Sequence, residues 1–240
     1  MYSTPAETES FMTRFAPLVR SATAEIAVFP PFTSLDRAGR LLRGSPIGLG
    51  AQDVYFETKG AFTGAVSPGM LAACGCRYVL VGHSERRHVF GEDDAIVRRK
   101  LDAALAGGLD SVLCVGETLA ERRAGGTYDV LETQLTAGLR RLEGTLLSRV
   151  VVAYEPVWAI GTGETATPSQ AQEACAWIRD WLARTFGPGD AAGLRILYGG
   201  SVKPDNARSL LTLPDVDGAL VGGASLDPNG FAAIVAAAEI

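Results

Sequence analysis

Residues 150–168 of the chain are VVVAYEPVWAIGTGETATP. The segment begins with a continuous apolar run rich in β-branched residues, Val150–Tyr154, which is typical of a parallel strand buried on both faces. Glu155 follows this run directly, and Pro156 then ends the strand pairing because proline has no backbone N–H to donate. The sequence therefore predicts a carboxylate at the tip of a buried parallel strand.

The loop after this strand has the composition of a movable cover. Its members are Pro156, Val157, Trp158, Ala159, Ile160, Gly161, Thr162, Gly163, Glu164, Thr165 and Ala166. Residues 157–160 are apolar with no obvious core to enter, and residues 161–163 are small enough to bend. Thr167 is placed to cap a helix that begins at Pro168. A carboxylate under such a loop indicates a base that is shielded from water.

The composition is that of a globular chain with no bulk charge to attract polyanions. The chain has 240 residues, 47% apolar and 20% charged, with a formal net charge of −5. This acidic balance argues against a nucleic-acid partner. No apolar run approaches the roughly 20 residues of a membrane span, and no signal segment opens the chain. We expect one domain over residues 1–240, located in the cytoplasm, with neither nucleic acid nor membrane as a partner.

Cysteine and histidine are too few to indicate a metal centre. The chain contains Cys74, Cys76, Cys114, Cys175, His83 and His88. Cys74 and Cys76 form a close pair, but no second pair faces them, and a zinc site needs three or four ligands. We expect no metal, and we expect the thiols to be reduced and buried.

Strands and helices alternate along the chain. The apolar periodicity predicts seven strands, Ile26–Phe29, Ile47–Ala51, Tyr78–Val81, Ser111–Val115, Val150–Tyr154, Leu194–Tyr198 and Ala219–Val221. Helices are predicted between them, among them Thr127–Leu142, Pro168–Phe186 and Pro204–Leu211. An open doubly wound sheet and a closed (β/α) barrel both fit this alternation. The chemically distinctive residues follow several different strands, all on the carboxyl side, and this favours the barrel.

His83 is a second candidate for chemistry. It follows the predicted strand Tyr78–Val81 and lies between Gly82 and a predicted helix start. A lone histidine is more often structural, but at a strand tip it is a candidate acid or electrophile. The Gly-x-Ser-x-Gly elbow of serine hydrolases is excluded, because Arg86 stands at its last position.

Glycine turns follow the last two predicted strands, at Gly199-Gly200-Ser201 and at Gly222-Gly223. Each turn offers backbone N–H groups at the start of a helix, and loops at such positions of (β/α) barrels frequently bind phosphate. Tight turns alone would also explain these glycines. Residues 161–166 match the dinucleotide fingerprint only weakly, because Gly161 does not sit directly on a strand end.

Six segments together resemble the triosephosphate isomerases. They are GAQDVYFETKGAFTG (50–64), VGHSERR (81–87), CVGE (114–117), AYEPVWAIGTGETATP (153–168), LYGGSV (197–202) and VGGASL (221–226). The resemblance runs in order from Pro5 to the C-terminus. It implies an eight-stranded (β/α) barrel that interconverts dihydroxyacetone phosphate and D-glyceraldehyde 3-phosphate through an enediolate, in glycolysis and gluconeogenesis. It implies no cofactor and no metal.

The resemblance also assigns roles to residues. Glu155 matches the base that moves a proton between two carbons, and His83 matches the neutral imidazole that polarises the carbonyl. Ser84 and Glu85 are supporting polar residues, and Cys114 matches a cysteine behind the active site. The residues that match the family's phosphate-binding amides are Gly161, Ser201, Gly222 and Gly223. The loop from Pro156 to Ala166 matches the closing lid.

A homodimer is implied as well, because the loop Thr58–Gly64 resembles the one that enters the partner subunit, with Thr63 near its tip. Glu164 departs from the family, which commonly has a basic residue there, and we expect altered lid kinetics at most.

A larger departure concerns the first strand of the family, which ends in Asn-x-Lys and brings a lysine to the substrate. The lysines of this chain are Lys59, Lys100 and Lys203, and none stands at a matching position. By resemblance we therefore expect one barrel strand and one catalytic cation to be missing. Met1 would be an internal methionine of a longer product, which we favour because the other site positions match, or the protein would be shortened and weakly active. The alternatives are a non-catalytic barrel that binds sugar phosphates and an isomerase of a four-carbon sugar phosphate.

Overall fold

The computed structural model describes residues 1–142, 144–160 and 165–239. Within them, seven parallel strands form one sheet in the order of the chain. The strands are β1 (Ala27–Val28), β2 (Gly48–Ala51), β3 (Tyr78–Val81), β4 (Asp110–Val115), β5 (Val150–Tyr154), β6 (Ile196–Tyr198) and β7 (Gly218–Ala219). Each overlaps a strand that the sequence predicts, and in-order parallel pairing with intervening helices is the arrangement of a (β/α) barrel.

Helices connect the strands and cover the sheet. They are α1 (Pro5–Leu18), α2 (Leu35–Leu41), α3 (Pro68–Ala73), α4 (Ser84–His88), α5 (Asp94–Ala106), α6 (Leu119–Arg123), α7 (Thr127–Leu139), α8 (Pro168–Phe186), α9 (Pro188–Gly193), α10 (Ala207–Leu211) and α11 (Pro228–Ala237). Short 3-10 helices cover Phe32–Ser34, Gly144–Arg149, Val157–Ala159 and Gly223–Leu226. The sequence pattern does not predict α9, because six residues are too few to show an apolar period.

Two predicted helix boundaries are wrong. The first turn of the helix predicted to begin at Pro204 is replaced by a side-chain turn, in which Asn206 Oδ1 accepts the Lys203 N–H at 2.8 Å, and α10 begins only at Ala207. The helix predicted to reach Leu142 ends at Leu139, because Arg140 adopts a ψ of 131° and Arg141 a φ of 77°, neither of which an α-helix accommodates.

The buried side chains of the strands divide into two sets by strict alternation. One set lies inside the barrel and consists of Leu80, Val112, Cys114, Val151 and Ala153, with Phe29, Leu197 and Leu220 against it. Their chain neighbours in the strands belong to the larger core under the helices. Successive residues of a strand point to opposite faces of the sheet. The parity of a position therefore decides whether a residue just past a strand end faces the barrel interior.

The first and last helices of the chain pack against each other outside the strands. α1 begins with the capping box that the spacing of Thr4 and Glu7 predicts, and α1 packs on α11 with the rings of Phe15 and Phe231 stacked at 4.8 Å. In the pairing order of the described residues, β1 and β7 are the two edges of the sheet. Across the same residues, we find no helix that combines the length and the apolar character needed to cross a membrane.

Candidate active site

Glu155 continues the alternation of β5 to the interior side of the barrel. Val151 and Ala153 belong to the interior set, and Glu155 is the next residue of the same parity. The Glu155 N–H donates to Val115 O at 2.7 Å, which extends the sheet pairing by one residue before Pro156. The residue is only 2% exposed. Strand geometry thus delivers a carboxylate to the carboxyl end of the barrel and removes it from bulk water.

His83 reaches the same place from β3. Gly82, at a φ of 70°, turns the chain sharply after the strand, and His83 becomes the N-cap of α4. Its Nδ1 accepts the Glu85 N–H at 3.3 Å, so the proton of the neutral ring belongs on Nε2. His83 Nε2 lies 2.9 Å from Glu155 Oε1, and the Ser84 N–H donates to Glu155 Oε2 at 2.8 Å. The two candidates for chemistry are in direct contact.

The surroundings of His83 act on its pKa in opposite directions. Burial of the ring, the largest single effect, lowers the pKa, whereas the hydrogen bond and charge of Glu155 and the charge of Glu85 raise it. The net result is a pKa above the ordinary imidazole value. Glu155 is therefore the main group that opposes the effect of burial on this pKa.

The supporting residues of the motif differ in what they contribute. Ser84 is buried and bonds Glu155 through its main chain. Glu85 is exposed and acts on the ring through its backbone N–H and its charge. Cys114 is fully buried in the barrel interior, and burial raises the pKa of its thiol well above the usual value. Its position therefore makes it a packing residue beside Glu155 with an unreactive thiol.

Glu117 is a buried carboxylate that the sequence analysis names only within the segment CVGE (114–117), and it bonds residues at the amino-terminal end of the predicted lid. Its side chain is 0% exposed. It accepts from Tyr154 Oη at 3.2 and 3.1 Å and from Trp158 Nε1 at 3.0 Å, and it pairs with Arg122 Nη1 at 3.1 Å. Its carbonyl accepts the Val157 N–H at 3.0 Å. A carboxylate two residues past the end of β4 was the available signal, since a carboxylate directly after β5 singles out Glu155.

The expectation that residues 157–160 have no core to enter is wrong for two of them. Trp158 and Ala159 are buried in the main core, within the 3-10 helix Val157–Ala159. The indole of Trp158 stacks with the guanidinium of Arg122 at 4.5 Å in addition to its bond to Glu117. Burial follows from these partners, because the indole N–H is satisfied inside the protein. The amino-terminal part of the predicted lid is thus packed into the main core.

The rest of the predicted lid is described in part. Gly161, Thr162, Gly163 and Glu164 lie outside the described residues. Thr165 is exposed and Ala166 is buried. The predicted cap at the following helix is confirmed, because Thr167 and Gln170 form a capping box at the start of α8.

The candidate phosphate-binding residues lie beyond two neighbouring strands. Ser201 is half-buried after β6, and Gly222 and Gly223 are exposed after β7, at the start of the 3-10 helix Gly223–Leu226. β6 pairs with β7, and the Leu220 N–H donates to Tyr198 O at 3.0 Å beyond the ladder. Both loops therefore leave the sheet at the carboxyl end, on the side where Glu155 lies.

No cluster of three or more metal-ligating side chains occurs among residues 1–142, 144–160 and 165–239. The four cysteines are free thiols, of which Cys74 is half-buried and the other three are buried.

Comparison with known proteins places this geometry in a family. The family model described as "Triosephosphate isomerase" matches residues 1–238. The triosephosphate isomerase of Moorella thermoacetica is 54% identical over 235 residues, which cover 98% of this chain and 94% of that protein. The triosephosphate isomerase of Citrifermentans bemidjiense is 52% identical over 240 residues, covering 100% of this chain and 96% of that protein.

A solved structure shows that the fold is shared as well. The crystal structure of triosephosphate isomerase from Bartonella henselae superposes with a TM-score of 0.90 at 39% identity, covering 99% of this chain and 94% of that one.

Proposed function

The chain belongs to the triosephosphate isomerase family, and on that basis we propose that Glu155 and His83 together perform the chemistry at the carboxyl end of the barrel. The chain is an isomerase that interconverts dihydroxyacetone phosphate and D-glyceraldehyde 3-phosphate in glycolysis. The observation that carries the assignment of residues is the contact of 2.9 Å between His83 Nε2 and the carboxylate of Glu155, whose side chain is 3% exposed.

Glu155 is the base of the proposed reaction. It takes the proton from the hydroxyl-bearing carbon next to the carbonyl, and the electrons of that C–H bond form the enediolate. The resulting carboxylic acid returns a proton to the neighbouring carbon, and the hydroxyl proton of the first oxygen passes to the second, so the substrate is oxidised at one carbon and reduced at the other. A carboxylate held away from water is well suited to this task, because it exchanges no hydration shell when it meets a carbon acid.

His83 is the proposed electrophile. Its Nε2–H, which donates to Glu155 in this structure, would donate to the substrate oxygens on which the negative charge develops. Its Nδ1 stays occupied by the Glu85 N–H at 3.3 Å, which keeps the donor on Nε2. Triosephosphate isomerase is itself the reference case for pairing a carboxylate base with a neutral imidazole at a helix N-terminus.

The phosphate group of the substrate would be held by backbone amides, at Ser201, Gly222, Gly223 and Gly161. Support comes from the loops after β6 and β7, which leave neighbouring strands at the same end of the barrel. Gly161 belongs to the proposed lid, Pro156–Ala166, which would close over the substrate and exclude water.

The cation of the family's Asn-x-Lys motif has no counterpart beside Glu155 among the described residues. Lys100 is 2% exposed and bonds Asp53 and Glu92, both at 2.5 Å, while Lys59 and Lys203 are exposed. We expect turnover to rise when an upstream strand with Asn-x-Lys is added to the chain, because a fixed positive charge stabilises the enediolate.

The test of the proposed function is a coupled assay in which the aldehyde product is oxidised as it forms. It compares this chain, the chain extended by the Asn-x-Lys strand, Glu155→Gln, and the control Glu132→Gln on the exposed face of α7. We expect Glu155→Gln to lower kcat by at least about a hundredfold with little change in KM, since an amide cannot accept the proton. Turnover that is unchanged in Glu155→Gln would reject the base, and a preference for four-carbon sugar phosphates would reject the substrate.

We also propose that the protein is a homodimer. The loop Thr58–Gly64 is exposed throughout, and the ring of Phe62 in it is 40% exposed. An exposed apolar loop tip fits insertion into a second copy. Sedimentation velocity should give twice the chain mass of 25.2 kDa, and Thr63→Arg should give single chains whereas Thr133→Arg on α7 should not. A wild-type species of 25.2 kDa would contradict the dimer.

We also propose that the protein is a single domain and that it is located in the cytoplasm. The main core runs from Met12 to Val235 as one cluster, which supports a single domain over residues 1–240, testable as one cooperative unfolding transition. The free thiols support a cytoplasmic location, because unpaired cysteines suit a reducing compartment, and cell fractionation would check it.

A further inference from the structure

The side chain of Gln134, on α7, makes two hydrogen bonds to the main chain just past the end of β4. Its Oε1 accepts the Gly116 N–H at 2.8 Å, and its Nε2 donates to Gly116 O at 3.3 Å. Gly116 lies one residue past the end of β4, where the sheet ladder stops. The glutamine amide carries a donor and an acceptor on two neighbouring atoms, so it can bond both polar groups of that one residue.

The placement of Gln134 follows from the way α7 packs on β4. A Cβ on Gly138 would lie 2.7 Å from Leu113 Cδ2, so the helix approaches the strand closely at this point. Residues four apart lie on the same face of a helix, one turn along its axis. Gln134 is therefore directed one turn further towards the carboxyl end of the strand, where Gly116 lies.

Gly116 in turn is pressed against the main chain of Glu155. A Cβ on Gly116 would lie 1.8 Å from Glu155 O and 2.6 Å from its carbonyl carbon. The residue before Gly116 accepts the Glu155 N–H at 2.7 Å. With backbone against backbone and no side chain between them, any displacement of Gly116 is passed to Glu155.

The next residue, Glu117, carries the base of the proposed lid. Its carboxylate bonds Trp158 Nε1 at 3.0 Å and its carbonyl accepts the Val157 N–H at 3.0 Å. Gly116 is thus the point from which the positions of both the base and the lid are set.

We propose that Gln134 is a positioning residue for the isomerase reaction, which acts by holding Gly116 and, through it, Glu155 and the amino-terminal part of the lid. Gln134 does not touch the substrate. The proposal rests on the assignments of Glu155 and the lid in the proposed function, and it extends them to a helix outside the barrel.

Three variants separate this role from general stabilisation. Gln134→Met keeps the length of the side chain and removes both bonds, and Gln134→Glu keeps the acceptor for the Gly116 N–H but loses the donor. The matched control is Gln172→Met on α8. Gln172 makes the same kind of double contact, with Nε2 donating to Asp215 Oδ2 at 2.6 Å and Oε1 accepting the Asp215 N–H at 3.2 Å, but at the end of the sheet away from Glu155.

The measurements are kcat and KM in the coupled assay and the indole 15N–1H cross-peak of Trp158, assigned with Trp158→Phe. We expect Gln134→Met to lower kcat about tenfold with KM changed by less than about twofold, because small misplacements of a reacting group weaken the transition state more than binding. The Trp158 cross-peak should shift. Gln134→Glu should be intermediate, and Gln172→Met should leave both readouts at wild-type values.

The proposal fails if Gln134→Met and Gln134→Glu match Gln172→Met in kcat and in the Trp158 cross-peak once each is normalised to its folded fraction. If Gln134→Met does not fold, the comparison of Gln134→Glu with Gln172→Met decides by the same criterion. The outcome is separable from that of the proposed function. Turnover surviving in Glu155→Gln would reject the base, while the cross-peak comparison would still report whether Gln134 sets the base of the lid.

Discussion

Shortening the carboxylate in Glu155→Asp tests whether the distance at which the base lies is set by the backbone. The carboxylate of Glu155 bonds His83 Nε2 at 2.9 Å and the Ser84 N–H at 2.8 Å. Removing one methylene retracts it by about 1.5 Å, the length of one C–C bond. The backbone cannot follow, because the Glu155 N–H is bonded to Val115 O at 2.7 Å and Gly116 blocks its carbonyl.

The expected loss follows from that retraction. Both hydrogen bonds would be stretched beyond the roughly 3.5 Å at which such contacts stop counting as bonds. A misplacement of about 1 Å at a reacting group can cost about a hundredfold in rate. We therefore expect kcat to fall about a hundredfold, which corresponds to about 2.7 kcal/mol in the barrier. KM should change by less than about threefold, because the carboxylate does not hold the phosphate.

The assay is steady-state turnover of dihydroxyacetone phosphate with the coupled readout, beside Glu132→Asp, which shortens an exposed carboxylate on α7 by the same methylene. Equal unfolding free energies for the two variants would show that the fold is intact. A kcat for Glu155→Asp within about threefold of wild type, in an intact fold, would refute the claim that a rigid backbone sets the working distance.

Three further results are expected. In Glu155→Gln the pKa of His83 should fall, because the charge of Glu155, which raises this pKa against the effect of burial, is removed. Proton NMR of the two histidines measures the shift. A folded-state pKa above the unfolded value adds stability at low pH, and this stability is lost as the pH rises through the folded-state pKa. The unfolding free energy of the wild type should therefore fall as the pH rises through the pKa of His83, whereas that of Glu155→Gln should not. Lys100→Met should cost about 3 kcal/mol in urea unfolding, because it removes the buried ammonium that bonds both Glu92 and Asp53 and leaves Arg86 as the only described cation beside these two carboxylates; a loss below about 1 kcal/mol would contradict this. Brief alkylation at neutral pH should modify Cys74 alone, as mass spectrometry of peptides would show, because the other three cysteines are buried and burial raises their thiol pKa.

Local patterns in the sequence were sufficient for the elements and for single site residues. The run Val150–Tyr154 is a strand within the bounds predicted, because a continuous β-branched run followed by proline leaves little choice of structure. Thr167 caps the helix that begins at Pro168, as the sequence predicts. Such features depend on neighbours a few residues away, and these are visible in the sequence.

Packing overruled the sequence where a residue met partners from distant segments. Trp158, expected to lie in an uncovered loop, is buried because Glu117 and Arg122 receive its indole. α9 and the true start of α10 depend on turns too short to leave a period in the sequence.

The sequence by itself determined which chemical groups stand at the strand tips, since an acid after one apolar run and an imidazole after another are facts of composition and order. Only the tertiary structure decided that these groups meet. Glu155 and His83 are far apart in the chain, and their contact at 2.9 Å exists because parallel strands bring their carboxyl ends to one rim. The same holds for Gln134 and Gly116, which α7 joins by folding back along β4. Proximity of this kind arises from the parallel pairing of the strands and the packing of helices on the sheet, which no single segment encodes.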